Sequence, residues 1–316
     1  MLSFSHIQEW ILSMTRNQAH LLLLVVTILW GFTFVAQKTG METLGPMSFS
    51  AARYLIGSIG IVPIAFFELR KNSIVIMLRR DRLLALKAFG LGCFMFCGIS
   101  LQQIALQYTN IANAAFLTAL YVPAVPFISW VLSSNPIKGK IWVALIISLF
   151  GSWMLSGSGT VLSQWGDLLV VISVFFWAGH IILISNITQK INMPFQLSFI
   201  QSFICFILAL CFASVLETPT LMDFIPAIPE LIIAGFFSVT LGFSFQIVGQ
   251  RYSDPTASAF ILSLESVFGA IAGWLLLSQI IGTSSLIGCA LIFLAVIIAD
   301  VVPDSWISLR TKWRND

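Results

Sequence analysis

The chain has 316 residues, of which 58% are hydrophobic and only 9% charged, with a formal net charge of +3. Soluble domains carry roughly 25% charged residues, so the deficit excludes the soluble classes, and no basic patch with interleaved aromatics suggests nucleic acid. At about 20 apolar residues per crossing, the length suits roughly ten membrane-spanning helices better than two soluble domains.

Charged residues punctuate the sequence and leave apolar runs between them. Residues 1–18 form a mixed segment in which Ile7, Trp10, Ile11 and Met14 share one helical face, as in an interfacial anchor. No small-x-small cleavage site follows, so the first apolar run reads as a retained span rather than a leader. Ten spans are expected, at 19–37, 46–67, 84–106, 112–132, 140–157, 167–186, 196–216, 229–250, 256–277 and 283–302. Continuous runs near 20 residues are helices, not the alternating strands of about ten residues that build a barrel. Breakers mark the turns: Gly45-Pro46, Asn135-Pro136, Met193-Pro194 and Asp254-Pro255. A basic tail at 303–316, with Trp306, Ile307 and Trp313, suits the membrane surface.

Basic residues set the orientation. With the N-terminus in the cytoplasm, Arg16, the cluster from Arg70 to Lys87, Lys138, Lys140, Lys190, Arg251 and the tail all lie inside, while Lys38 lies outside and Arg53 within a span. Fourteen of the sixteen Lys and Arg are then cytoplasmic, and the positive-inside rule puts both termini in the cytoplasm of a multi-pass protein of the cell (inner) membrane. The five cysteines all fall inside apolar runs at spacings that suit no metal, as small packing residues do.

The chain repeats itself. "LQYTNIANAAFLTALYVPAVPFISWVL" from Leu106 and "GQRYSDPTASAFILSLESVFGAIAGWLL" from Gly249 align through Tyr108/Tyr252, Ala115/Ala259, Phe116/Phe260, Leu120/Leu264 and Trp130/Trp274, at an offset of 144 that Gln102/Gln246 share. Trp30 pairs with Trp177 and Pro46 with Pro194 at slightly larger offsets. Residues 19–157 and 167–302 are thus two five-span repeats, and because five is odd the second enters the membrane inverted. Inverted repeats are a design of secondary transporters, whose central site opens to either side at comparable energy.

These stretches resemble the EamA family of the drug/metabolite transporter superfamily. The resemblance rests on "ILWGFTFVAQKTGMETLGP" from Ile28 with Arg53 in the next span, "NAAFLTALYVPAVP" from Asn113, "LLVVISVFFWAGHIILI" from Leu168, and the run from Pro255 to Asp300. It implies an all-α integral membrane fold of ten helices, two inverted five-helix repeats around a central cavity, with both ends inside. Two positions depart from the family pattern. Ser266 stands where Pro usually follows the glutamate of the ninth span, and Ser278-Gln279 where Gly-Glu usually ends it.

Charges within spans are costly, about 2.5–3.5 kcal/mol on insertion scales, and two stand out. Glu265 lies near the middle of the ninth span as a ligand for a substrate amine or a proton-coupling carboxylate, and its repeat partner is Tyr121. Arg53 is either an anion ligand, a partner of Glu265, or a structural residue whose long side chain reaches the interface. Trp30 and Trp177 sit at mid-span, atypical for tryptophan, and suit the walls of one cavity; His180 is one turn beyond Trp177. Gln102, Gln246 and Asn113 complete the candidate set, although amides also bridge helices structurally. The expected activity is secondary transport of a small polar or amphipathic metabolite, an amino acid or related compound, by alternating access with a proton or counter-solute as partner. No Walker pattern, catalytic cluster, metal site or cofactor motif appears. The other readings are a lipid-directed membrane enzyme and a non-transporting scaffold; substrate identity, direction and oligomeric state are not legible.

Overall fold

The computed structural model describes residues 13–109, 111–133, 136–156, 165–278 and 280–303. The anchor residues Ile7, Trp10 and Ile11, the tail with Trp306, Ile307 and Trp313, and Gln279 lie outside them. All regular structure among the described residues is helical. In chain order it comprises α1 (Arg16–Gly40), α2 (Pro46–Lys71), α3 (Arg82–Ala105), α4 (Ile111–Thr118), α5 (Tyr121–Ser133), α6 (Gly139–Leu155), α7 (Trp165–Thr188), α8 (Pro194–Leu216), α9 (Ile228–Ile232), a π-helical stretch (Ile233–Phe243), α10 (Ser244–Arg251), α11 (Pro255–Leu262), α12 (Glu265–Leu277) and α13 (Thr283–Asp300). Two short helices, Ile74–Arg80 and Leu221–Phe224, lie between the long ones.

Nine helical segments among the described residues are long and apolar enough to cross a membrane. The expected span at 140–157 is a shorter apolar helix of 17 residues, α6, at the lower limit for a crossing. The outside of the molecule is apolar: Ile59, Leu86 and Ile146 are 62%, 65% and 68% exposed. A soluble protein would not present so much contiguous apolar surface; a lipid-facing one must.

Helix starts follow from local chemistry. Thr15 and Gln18 form a reciprocal capping box on α1. Pro46, Pro194 and Pro255 occupy first-turn positions of α2, α8 and α11, where no amide hydrogen is needed. Asp81 accepts from Leu84 N at 2.9 Å to cap α3; that bond, with Lys190 nearby, holds its carboxyl below the usual range.

Two expected continuous spans are broken. The fourth is interrupted between Thr118 and Tyr121, the ninth between Leu262 and Glu265. At both breaks the winding tightens to three-residue bonds, Leu120 N to Leu117 O and Leu264 N to Ile261 O. The two breaks fall at matching positions of the sequence repeat. Ser266, where the family has proline, does not straighten the ninth span. Ser263 and Ser266 hydroxyls donate to the carbonyls three residues back, at 2.7 and 2.8 Å, a local bond that competes with the helical ladder. The expected eighth span, too, is not uniformly α-helical: its middle, Ile233–Phe243, is wound as a π-helix, a rare form found mostly at functional sites.

Ser278 ends α12 with φ of 53°, the left-handed conformation in which glycine carries no steric penalty. Ser278→Gly is therefore expected to stabilise the protein by about 0.5–1 kcal/mol, the left-handed penalty less the entropy of a freer unfolded chain. Thermal melting in detergent would contradict this if the variant melted lower.

The long helices pack as pairs drawn from opposite halves of the chain: α2 with α8, α3 with α7, α6 with α13, and α1 with α12. Two pairs rest on glycines. A Cβ at Gly31 would meet the backbone of Phe268 and Gly269, and Gly151 and Gly288 each abut the other's carbonyl; small residues allow such close approach. The α2–α8 pair is tied at both ends. At one end Met47 N and Ser48 N donate to the Glu217 carboxylate at 2.9 and 2.8 Å, joined by the Ser48 hydroxyl. At the other, Gln196 N donates to Glu68 Oε2 at 2.9 Å, and the Gln196 side chain bonds Ile74 N and Asn72 O. Each helix carries near its C-terminal end the carboxylate that caps the start of its partner.

Candidate functional site

A partly enclosed cavity lies where the helices of both halves converge. Trp30, Phe34 and Gln37 reach it from one face of α1, at i, i+4 and i+7. Ile99 and Gln102 come from α3, Trp177 and Ile181 from α7, Ser238 and Phe243 from the π-helical stretch, and Gln246 from α10. The two breaks supply the rest: Tyr121 opens α5, Leu262 closes α11 and Glu265 opens α12.

Three aromatic rings form the wall. Phe243 stands between the repeat-related tryptophans, its ring centroid 4.9 Å from Trp30 and 6.4 Å from Trp177, the latter nearly parallel at 9°. Trp30 Nε1 donates to the Ser238 carbonyl at 3.3 Å, within the π-helical stretch.

The polar groups are largely unfilled. Glu265 is 8% exposed and has no hydrogen-bond partner among the described residues. The Tyr121 hydroxyl, Gln37 Oε1, Gln246 Oε1 and Trp177 Nε1 are buried without a partner. Gln37 Nε2 donates to Thr33 O, which fixes its amide with the oxygen free. Gln102 Nε2 donates to Thr118 Oγ1 at 3.0 Å. Buried polar groups are ordinarily satisfied, so a cluster left open around one cavity suits an exchangeable guest.

The structure therefore brings together six of the nine residues singled out above: Trp30, Gln102, Tyr121, Trp177, Gln246 and Glu265. It sets three elsewhere. Asn113 shares no continuous face with Tyr121, because the break intervenes; its Nδ2 donates to buried Asp167, which Thr109 Oγ1 also bonds at 2.6 Å. His180 lies behind the aromatic wall, bonded through Nε2 to Gln201 Oε1 at 3.0 Å and edge-on to Trp177 and Phe243. Arg53 is 1% exposed, stacked over Tyr54 at 5.1 Å and Phe49 at 5.9 Å. Tyr54 in turn meets Phe243, so Arg53 is two layers from the cavity and does not pair with Glu265. Residues not anticipated include Phe34 and Gln37, which the α1 periodicity from Trp30 would have disclosed, and Phe243, three residues before Gln246. Ser238 carried no signal, since π-winding alters which side faces inward. Among the described residues no three His, Cys, Asp or Glu side chains gather as a metal site requires.

Long apolar helices around a chamber lined mainly by apolar and aromatic side chains, with a few polar groups among them, are those of a multi-pass membrane protein. Residues 17–157 and 164–299 each match the model of the EamA-like transporter family, and the chain belongs to that family. A protein of Archaeoglobus fulgidus named an uncharacterized transporter is 30% identical over 287 residues, 90% of this chain and 87% of its own. An Escherichia coli strain K12 protein named "Probable amino-acid metabolite efflux pump" is 25% identical over 195 residues, 59% of this chain and 60% of its own. Among the solved structures that match, a crystal structure has a TM-score of 0.74 over 91% of this chain and 98% of its own, at 16% identity, a likeness of fold alone. These names point to transport, not to an enzyme.

Proposed function

We propose that the chain is a secondary carrier that moves a small amphipathic metabolite, an amino acid or related compound, across the cytoplasmic membrane. Two inverted five-helix repeats would alternate its access, with both termini in the cytoplasm. The observation that carries this reading is the pair Tyr121 and Glu265. They are repeat-related, each opens the second piece of a broken helix, and both face one chamber. Discontinuous helices at a midplane site between inverted repeats are a recurrent build of secondary transporters.

Other features support it. The family model matches twice, once per half. The reciprocal caps of α2 and α8 are what a two-fold axis in the membrane plane would produce, since each helix receives from its partner the same bond at the opposite end. The distribution of Lys and Arg favours both ends inside. The efflux-pump relative lends weight to an amino-acid-like solute.

Counterflow in proteoliposomes tests the reading. Vesicles preloaded with unlabelled amino acids and amines are expected to accumulate the matching labelled solute transiently, saturably and chemically unchanged. A modified solute would point to an enzyme, and the absence of any protein-dependent flux would point to a scaffold.

A further inference from the structure

Among the described residues the chamber has one charged side chain, Glu265, and none of its lining residues is Lys, Arg or His. The buried cation Arg53 is screened from it by Tyr54 and Phe243. A carboxylate at membrane depth without a protein cation must share its site with a proton or a positively charged guest.

The unfilled acceptors at one end of the chamber point the same way. An ammonium group offers three donors and no acceptor. At the Glu265 end the chamber supplies acceptors: the carboxylate itself and Gln246 Oε1. These two lie at one depth. Gly31 abuts Phe268 and Gly269, and the indole of Trp30 meets Gly242, while Leu23 meets Gly249. Glu265 and Gln246 therefore both fall about one turn to the same side of Trp30. Gln37 lies seven residues to the other side of Trp30, roughly 10 Å along the helix. Between the two ends the wall is Trp30, Trp177 and Phe243, surfaces that attract an organic cation and cover an apolar or aromatic body.

We infer that the solute is a primary-amine monocation with an aromatic or bulky apolar body, whose carboxylate is absent or masked as an amide or ester. This rests on the carrier reading and narrows it. In a free α-amino acid the carboxylate lies two bonds from the amine nitrogen, so seating the ammonium on Glu265 forces the second carboxylate beside the first. No lining cation relieves that repulsion, and like charges held together disfavour binding. An amide at the same place carries no charge and adds donors of its own.

Calorimetric titration of the purified full chain in detergent, with three probes that share one ring, tests the inference. 2-Phenylethylamine and phenylalaninamide are expected to bind at least about tenfold more tightly than phenylalanine, a difference of about 1.4 kcal/mol. Glu265→Asp is expected to keep that preference, and Glu265→Gln to erase it. Phenylalanine binding as tightly as phenylalaninamide to the unaltered protein would overturn the cation assignment, as would a preference that survives in a folded Glu265→Gln variant. If none of the three binds while counterflow of another solute is intact, the cation assignment fails alone; if no solute exchanges at all, the carrier reading fails with it.

Discussion

Glu265→Gln is expected to abolish solute exchange, by at least about 100-fold, while leaving the fold intact and the melting temperature unchanged or slightly raised. The reasoning starts from what the side chain lacks. Glu265 makes no hydrogen bond to the described protein, so an isosteric amide orphans no partner. Among the described residues it also carries the only charge facing the chamber, and exchanging a costly charge at membrane depth for a neutral amide, itself polar and unpaired, leaves the burial cost no higher. Stability therefore has no reason to fall. Exchange does, because a neutral amide can neither hold a cation nor release and rebind a proton between the two faces. The separation of the two effects is the diagnostic. A structural role for Glu265 predicts lost stability with proportionate loss of activity; a coupling or ligand role predicts activity lost alone. Counterflow and melting curves measured on the same purified variant decide, and normal exchange by a folded Glu265→Gln protein would remove Glu265 from the site.

The parts of the molecule that sequence discloses are those set by one-dimensional quantities. Span length and hydropathy locate nine long apolar helices among the described residues to within a few residues, because the bilayer imposes a length and water imposes the ends. Depth along a span is likewise legible: Trp30, Trp177, Tyr121 and Glu265 are read as mid-span and meet at one chamber. Azimuth is not. Asn113, His180 and Arg53 sit at plausible depths, yet Asp167 and Gln201 engage the first two from other helices, and Arg53 is turned onto the rings of Tyr54 and Phe49 of its own helix. The breaks were hidden for a related reason. An apolar run reads the same whether its ladder is continuous or interrupted, and the fourth span breaks where Ala119 and Val122 stand as the ninth does at Ser263 and Ser266. Gln37 escaped notice because it adjoins Lys38 and resembles the polar end of a span, whereas its face, shared with Trp30, points inward.

Glu68 and Glu217 carry the second large expected effect. Their helices begin with Pro46 and Pro194, which lack amide hydrogens, so the first donors in want of an acceptor are those of the next residues. Water would satisfy them in a soluble protein; near the hydrocarbon it is scarce, and an unpaired buried donor costs about 1–3 kcal/mol. The carboxylates fill that need and complement the positive end of each helix dipole. Glu217→Ala strands Met47 N, Ser48 N and the Ser48 hydroxyl, and should destabilise by about 2 kcal/mol; Glu68→Ala strands Gln196 N and should cost about the same. The two sites lie at opposite ends of a 26-residue helix, far beyond the range at which mutations couple. The double variant is therefore expected to lose close to the sum, about 4 kcal/mol, read as the fall in melting temperature against each single variant. A sum well short of that would mean that α2 and α8 part as soon as either end is released. No loss at either site would mean that the caps are incidental, and the two-fold relation between the halves would lose its best structural support.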